Sequence, residues 1–437
     1  MSANPFFHRG PVRDKSYFFG REYETTQMLS LLGNGQSVSV VGQRRIGKTS
    51  LLFHLADAQI FTQYGLKAGE HLFVYIDCGG LSNLDPPKLY RLFLEEIDEA
   101  LAEIAPAQRL EIPGADISYR NFERILRQFI RQNRKPIIIL DEFEQMSRNP
   151  HLDPDFFSGL RALTAKYPLA FVTASKYPLL NLTYANASAL SSPFFNIFAG
   201  VRLSLFSDAQ AREVIINLAQ RGQANFDSDT VAAILALAGP HPLFLQIAAF
   251  HAFELWPEKA AGFENELRRR FLASAQEHFG YYWLNLSEAE QRVLAALPSA
   301  QAGQPEIIRR LEQGCLILRR DEGYDYLSPA FRDYVQAQPL SGLLQAGPLA
   351  IDVAQRLVLL RGHPLELSPT QYTLLAHLVE RAGQVVTPEA LEQAIWGDEY
   401  IEDPERLKSV IKGLRRALGD EASRLENVRG VGYMWRI

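Results

Sequence analysis

The sequence predicts a multidomain chain: a doubly wound α/β domain on a parallel sheet, a helical segment, and two small winged helices. Three observations carry that expectation. Residues 1–200 alternate short apolar runs with longer amphipathic stretches. From Ser207 to Ala275 the pattern turns helical with no strand run. Two later segments each close with a short hairpin signal. At 437 residues the chain has room for two to four domains of ordinary size.

The expected strands are Ser37–Val41 (SVSVV), His71–Asp77 (HLFVYID), Pro136–Leu140 (PIIIL) and Pro168–Ala174 (PLAFVTA), with Val201–Phe206 as a fifth. Each is short and apolar on consecutive positions, as strands buried on both faces must be. Helical patterns such as Pro87–Ile104 and Asn121–Arg131 lie between them. Around Tyr281–Val335 helices lead into the hairpin CLILRRDEGYDYLSP, with its turn at Asp321–Gly323. Gln336–Gly347 is rich in Gln, Gly, Pro and Ser and reads as a linker. Two alternating segments, three helical patterns and a terminal hairpin, NVRGVGYMWRI, follow it. The expected boundaries are therefore 1–206, 207–275, 276–337, a linker at 338–346, and 347–437.

Composition narrows the function classes. Hydrophobic residues make up 47% and charged residues 22%, which excludes disorder, collagen and coiled coil as descriptions of the whole. Two cysteines, Cys78 and Cys315, cannot build a disulfide framework or a Cys-rich zinc site, and read as small buried hydrophobes. The N-terminus lacks an apolar h-region, and the run Leu243–Trp256 is interrupted by Gln246, His251 and Glu254. A cytoplasmic protein with no membrane partner is expected. The net charge of −5 makes the chain as a whole no polycation.

The strongest local signal is Gly42-Gln43-Arg44-Arg45-Ile46-Gly47-Lys48-Thr49, which fits G-x-x-x-x-G-K-[ST] between an apolar strand and a helix. Glycines there let the backbone wrap phosphates, so that amide N–H groups and the helix N-terminus face the anion. The expected nucleotide set is Gly42, Arg45, Gly47, Lys48, Thr49 and Ser50. Lys48 would reach the outer phosphates, and the Thr49 hydroxyl would ligate Mg²⁺. The run Ile137–Leu140 ends in Asp141-Glu142 at the edge where α/β sheets bind ligands. Asp141 would hold Mg²⁺ through water, and Glu142 would orient or deprotonate the attacking water. A third strand ends in Thr173-Ala174-Ser175, which would bring Ser175 beside the terminal phosphate.

The run Phe18-Phe19-Gly20-Arg21-Glu22-Tyr23-Glu24 followed by GQRRIGKTSLL resembles the bacterial signal-transduction ATPases called STAND, within the wider AAA+ class. Asn4-Pro5-Phe6-Phe7 and Arg9-Gly10 fit the same pattern, as does Ser192–Phe198 further on. The resemblance covers about residues 4–335 and implies ATP or ADP with Mg²⁺. It puts Gly20 and Arg21 near the adenine and carries over Pro242 and His241, from Gly239-Pro240-His241-Pro242-Leu243, as nucleotide contacts. Pro240 stands where relatives more often have glycine, and no arginine finger is evident.

Residues 347–437 resemble the C-terminal DNA-binding domain of OmpR/PhoB-type response regulators, through L-S-P-T-Q-Y, Ala394-Ile395-Trp396-Gly397 and R-G-V-G-Y. Charge agrees with a DNA partner. Glu405–Ile437 holds eight Lys/Arg and four Asp/Glu, whereas Glu389–Asp403 holds six acids and no base. In Pro404–Leu418, Leu407, Ile411, Leu414 and Leu418 recur at helical spacing, and Lys408, Lys412 and Arg415 share the opposite face with Arg416 beside it. Such a helix suits a major groove, with Arg429 and Tyr433 in the adjoining wing. Gly413 falls where relatives often carry a base-contacting arginine, so an arginine restored there is expected to tighten binding. The loop Trp396–Asp403 matches the region by which relatives contact RNA polymerase.

No receiver domain precedes this module within the sequence, so the ATPase is the expected signal input. The expected function is an ATP-dependent transcriptional regulator with slow ATP turnover and nucleotide-dependent self-assembly. The alternatives are a DNA-stimulated AAA+ assembly or motor ATPase, of clamp or transposition type, and a nucleotide-gated scaffold of a defence or stress system.

Overall fold

A computed structural model describes the chain except residues 1–2, 8, 115, 183–192, 259–261, 298–304, 322, 339–342, 354–356, 362, 397–403 and 437. It divides into two compact units, Met1–Asn285 with Val293–Gln336, and Leu286–Arg292 with Ala337–Ile437.

In the first unit β1 (Ser37–Val41), β2 (His71–Asp77), β3 (Lys135–Asp141), β4 (Ala170–Ser175) and β5 (Phe198–Arg202) run parallel in the order β2-β3-β4-β1-β5. β1 and β4 are buried along their whole length, as unbroken apolar runs require. The period-two alternation of side chains divides each strand between two cores. Ile138 and Leu140 join Phe93, Phe122 and Phe129, carried by the helices Pro86–Ile104 and Tyr119–Ile130. Ile137 and Ile139 join the opposite cluster, with Met28, Leu52 and Leu55.

The fifth strand departs from expectation. Pairing with β1 runs from Ser37 opposite Phe198 to Val41 opposite Arg202, three residues before the predicted span Val201–Phe206. Past Leu203 the chain leaves the sheet, because the Phe206 amide donates to the Pro240 carbonyl and the Phe206 ring meets the Arg21 guanidinium. β5 is an edge with only Val201 buried, so it needs no continuous apolar run.

The helices Asp208–Arg221, Ser228–Ala238, Pro242–Leu255 and Phe263–Leu284 form the helical part. The last of these passes unbroken through residue 275, so the boundary drawn there is no break in structure. Within Val293–Gln336 come the helix Pro305–Gln313, the hairpin β6 (Ile317–Arg320) and β7 (Gly323–Tyr326), and the helix Pro329–Gln336. Of the predicted turn, Glu322 lies outside the described residues.

Gly239 joins the helical part to this hairpin. It follows the helix Ser228–Ala238 at φ +58° and ψ −165°, a region essentially reserved for glycine, and a Cβ there would run into the Leu327 carbonyl. Gly239→Ala should therefore cost about 2 kcal/mol or more. The expected result is a lower urea midpoint at unchanged m value; an unshifted midpoint would show that the Leu327 backbone yields freely.

In the second unit a sheet of order β11-β10-β9-β8 is built from β8 (Leu343–Ala346), β9 (Leu349–Asp352), β10 (Leu357–Leu360) and β11 (His363–Pro364). β8 takes residues expected in the linker 338–346, because Leu344 pairs with Ile351 and Ala346 with Leu349 to cover the core. Helices Pro369–Glu380, Pro388–Trp396 and Pro404–Leu418 follow, then the hairpin β12 (Leu425–Val428) and β13 (Gly432–Trp435). Leu407, Ile411, Leu414 and Leu418 face the core, as their spacing predicted. Among the described residues no helix is long and apolar enough to cross a membrane, and both cysteines are buried and unpaired.

Candidate functional site

The parallel order leaves β4 between β1 and β3, so the chain leaving β1 and the end of β3 converge at one edge of the sheet. The loop Gly42–Thr49 leaves β1 there. Arg45 takes φ +66° and Gly47 φ +103°, the left-handed turn that lets the helix Lys48–Ala56 start under the loop. Lys48 Nζ folds back to the Gly42 and Gln43 carbonyls at 2.9 and 3.2 Å. Burial lowers the Lys48 pKa, while Glu144, Asp141 and Glu142 oppose that shift.

Asp141 is buried at the end of β3 with three donors on its carboxylate. The Thr49 hydroxyl donates at 2.7 Å, the Tyr75 hydroxyl at 3.0 Å, and the Glu142 amide at 2.9 Å. Glu142 itself sits at φ +50°, which turns its side chain out of the strand direction at the start of the short helix Phe143–Ser147. Burial raises its pKa above the usual carboxylate value, with Asp77, Asp141 and Glu144 adding to the shift and Arg44 opposing it. A raised pKa makes a carboxylate a better proton acceptor than an ordinary glutamate.

Lys48, Thr49, Asp141 and Glu142 open on one cavity of about 560 Å³, a size suited to a nucleotide. Its polar end is the loop and the acidic pair. Its other walls include Phe7, Tyr17, Phe19 and Tyr281, aromatic faces suited to stacking on a base. Among the described residues no three His, Cys, Asp or Glu side chains cluster as a self-sufficient metal cage. The Thr49–Asp141 pair instead offers the hard oxygens that Mg²⁺ uses when phosphates complete its shell.

Several predicted residues take other places. The Ser175 hydroxyl donates to the Tyr177 carbonyl at 2.7 Å and is off the cavity wall, which Lys176 lines instead. Gly20 is also off the wall; its amide donates to Glu22 and its carbonyl accepts from Gln210. Arg21 reaches the cavity, but its guanidinium is 4% exposed and committed to Glu24, Ile46 O and Ser204 O, with the Phe206 ring 4.4 Å away. It braces the loop rather than the base. Ser50 lines the cavity while accepting from the Val12 amide at 3.0 Å, which ties the N-terminal segment over it. Pro242 lines the cavity, whereas His241 is fully buried behind it. Tyr75, Arg44, Glu144 and Tyr281 were not among the predicted residues; for Tyr75 the signal was a lone hydroxyl in an apolar strand.

In the second unit the outward face of Pro404–Leu418 carries exposed Lys412 and Arg416. Lys408 is paired with Glu405 at 2.8 Å and lies near Tyr433. Arg429 is exposed at the tip between β12 and β13, and Tyr433 is fixed by exchanging backbone bonds with Val386. Arg415 departs from its predicted role as an outward base reader, because its guanidinium donates to the Leu425 carbonyl at 2.8 Å. Gly413 is likewise corrected. A Cβ there would lie 2.5 Å from Gln371 Nε2, so the residue marks close packing and an arginine would displace Gln371. Nε2 is the end of a flexible side chain, and its shift would loosen the capping box that Gln371 Oε1 closes with Ser368. The predicted polymerase-contacting stretch beyond Trp396 lies outside the described residues, as does Ser192 of the earlier motif.

Fold and site together define a P-loop nucleoside-triphosphatase joined to a winged helix. Residues 24–303 match the Novel STAND NTPase 2 family, and the chain belongs to it. Residues 362–435 match the family described as transcriptional regulatory protein, C terminal. The sensory transduction protein RegX3 of Mycolicibacterium smegmatis is 34% identical over 95 residues, 21% of this chain and 42% of that protein. The response regulator protein PmrA of Pseudomonas aeruginosa is 37% identical over 87 residues, 20% of this chain and 38% of that protein. The chain thus spans less than half the length of these curated relatives. The Walker-type ATPase PABY2304 of Pyrococcus abyssi superposes with a TM-score of 0.55 at 15% identity, covering 75% of this chain and 99% of its own. The ORC2 protein of Aeropyrum pernix gives 0.50 at 13% identity, covering 76% and 96%. At such identities these two likenesses are of fold alone.

Proposed function

We propose that the chain is a nucleotide-gated, DNA-binding regulator of transcription, with ATP and Mg²⁺ at the first unit and double-stranded DNA at the second. The supporting observation is the joining, in one chain, of the Thr49–Asp141 pair beside a phosphate loop to a winged helix with exposed Lys412, Arg416 and Arg429. Residues 1–206 would bind the nucleotide, the helices from 207 to Leu284 would cover it, and the hairpin-bearing segment up to Gln336 would lock those helices in place. Nucleotide-dependent assembly of copies belongs to the same proposal, as does contact with RNA polymerase through Trp396–Asp403.

Lys48 supplies positive charge to the outer phosphates, and the amides of Gly42–Ser50 supply donors. Thr49 and Asp141 would hold Mg²⁺, which when bound offsets the charge on the phosphates. Glu142 takes the proton of the attacking water at its carboxylate. Arg44 opposes the rise of the Glu142 pKa and so favours the ionised carboxylate. Turnover of a switch of this kind is slow, because the lid rather than the chemistry governs how long a state lasts.

The test is duplex selection from a randomised library by the full chain with ATP, with ADP and without nucleotide. A preferred site whose affinity depends on the nucleotide supports the proposal. Identical selection in all three conditions removes the gating, and no selection removes the DNA reading. Within the same assay Arg429→Ala should weaken all sequences alike and lower the salt slope by about one. Lys412→Ala should instead cost about tenfold on the preferred site and relax the preference there. The reverse pattern would exchange their roles.

A further inference from the structure

The helix Phe263–Leu284 carries two adjacent tyrosines in its last turn, and both grip the same residue of the phosphate loop. The Tyr282 hydroxyl donates to the Arg44 carbonyl at 3.1 Å. The Tyr281 ring, on the cavity wall, lies 4.8 Å from the Arg44 guanidinium. The same Tyr282 oxygen stands 3.2 Å from His241 Nε2, and His241 Nδ1 accepts from the Leu243 amide at 3.2 Å, which caps the helix Pro242–Leu255.

Donor and acceptor roles in this chain run one way. A carbonyl only accepts, so Tyr282 spends its proton on Arg44, and its oxygen is left to accept from His241 Nε2–H. His241 then offers Nδ1 as the acceptor for Leu243, which is one neutral tautomer satisfying every partner. Burial, with the charges of Arg21 and His278 added, holds the His241 pKa down to about 3, so the tautomer persists at working pH. The group at the far end is Leu243, and with Pro242 and Gln246 it lines the nucleotide cavity. The group at the near end is Arg44, whose side chain acts on Glu142.

We propose that Tyr282, with His241 and Tyr281, clamps the lid helices to Arg44 of the phosphate loop, so that the lid registers the state of the loop. These are positioning residues. A shift of the Arg44 carbonyl must either carry the lid helix ends with it or break this part-buried hydrogen bond, which leaves the buried Tyr282 hydroxyl without that acceptor. The clamp rests on the nucleotide reading proposed above.

The test is hydrogen exchange on the full chain, for wild type, Tyr282→Phe and His241→Asn, each without nucleotide and with Mg²⁺ and ATP or ADP. Asn is a good N-cap, so His241→Asn keeps the acceptor for Leu243 while losing the reach to Tyr282. Without nucleotide, both variants should exchange about fivefold faster at residues 43–47 and at the start of the helix Pro242–Leu255. With nucleotide, wild type should gain protection at the loop and at both lid helix ends together. The variants should still gain it at the loop, but no longer at the lid. Lid protection equal to wild type in both variants overturns the clamp. If ATP and ADP protect nothing in wild type, the nucleotide reading falls, and the nucleotide-free rates decide the clamp: unchanged rates overturn it.

Discussion

Glu142→Gln is expected to bind ATP as wild type does and to hydrolyse it about 100-fold more slowly or worse, as loss of a general base does. The substitution keeps the shape of the side chain but exchanges one acceptor oxygen for an NH2 donor and removes the charge, and with it the capacity to take a proton. The environment explains why this position suits the role. Burial and the neighbouring carboxylates of Asp77, Asp141 and Glu144 raise the Glu142 pKa above 4.5, and Arg44 opposes the rise. The working form is the ionised one, so wild-type turnover should fall as pH drops through that raised value. The acid limb should therefore lie above the pH of an ordinary glutamate and vanish in the variant. Single-turnover rates with radiolabelled ATP measure both effects. Equal rates in wild type and variant would place the base elsewhere.

Lys48→Ala should weaken nucleotide binding by about 30-fold or more, the cost of truncating one partner of a buried charge pair. The effect is large because of what remains. Without the ammonium the carboxylates of Asp141, Glu142 and Glu144 lose the cation set among them, and the phosphates meet those acids with less opposing charge. Calorimetric titration gives the affinity. Thermal unfolding gives a control, since at one ATP concentration the wild-type midpoint should rise by mass action and that of the variant should rise less. A variant that binds ATP normally would show that the loop amides alone hold the phosphates.

Features that depend only on neighbours along the chain are legible in the residues themselves. The run SVSVV before G-x-x-x-x-G-K-T and the run IIIL before Asp141-Glu142 announce buried parallel strands ending in phosphate and metal chemistry, because burial on both faces demands consecutive apolar residues. The spacing of Leu407, Ile411, Leu414 and Leu418 likewise decides which face of that helix enters the core, since helical period is local. Thr49 and Asp141 could be paired in advance because Thr49 opens the helix after the phosphate loop and Asp141 closes a strand.

Tertiary structure alone decided the rest, because it depends on atoms far apart in sequence. Nothing local tells that Ser175 spends its hydroxyl on Tyr177 O, or that Arg415 is drawn to Leu425 O across the hairpin. Gly413 reads as a missing base contact until Gln371 is found against it. Arg21 reads as a ligand contact until Ile46 and Ser204 are found to occupy its donors. The Arg44–Tyr282–His241 chain joins residues up to 238 positions apart, and no local pattern links them. Motif and period reveal which groups a fold must present; where a polar side chain finds its partner is settled by packing, because a buried donor takes whichever acceptor the fold brings within reach.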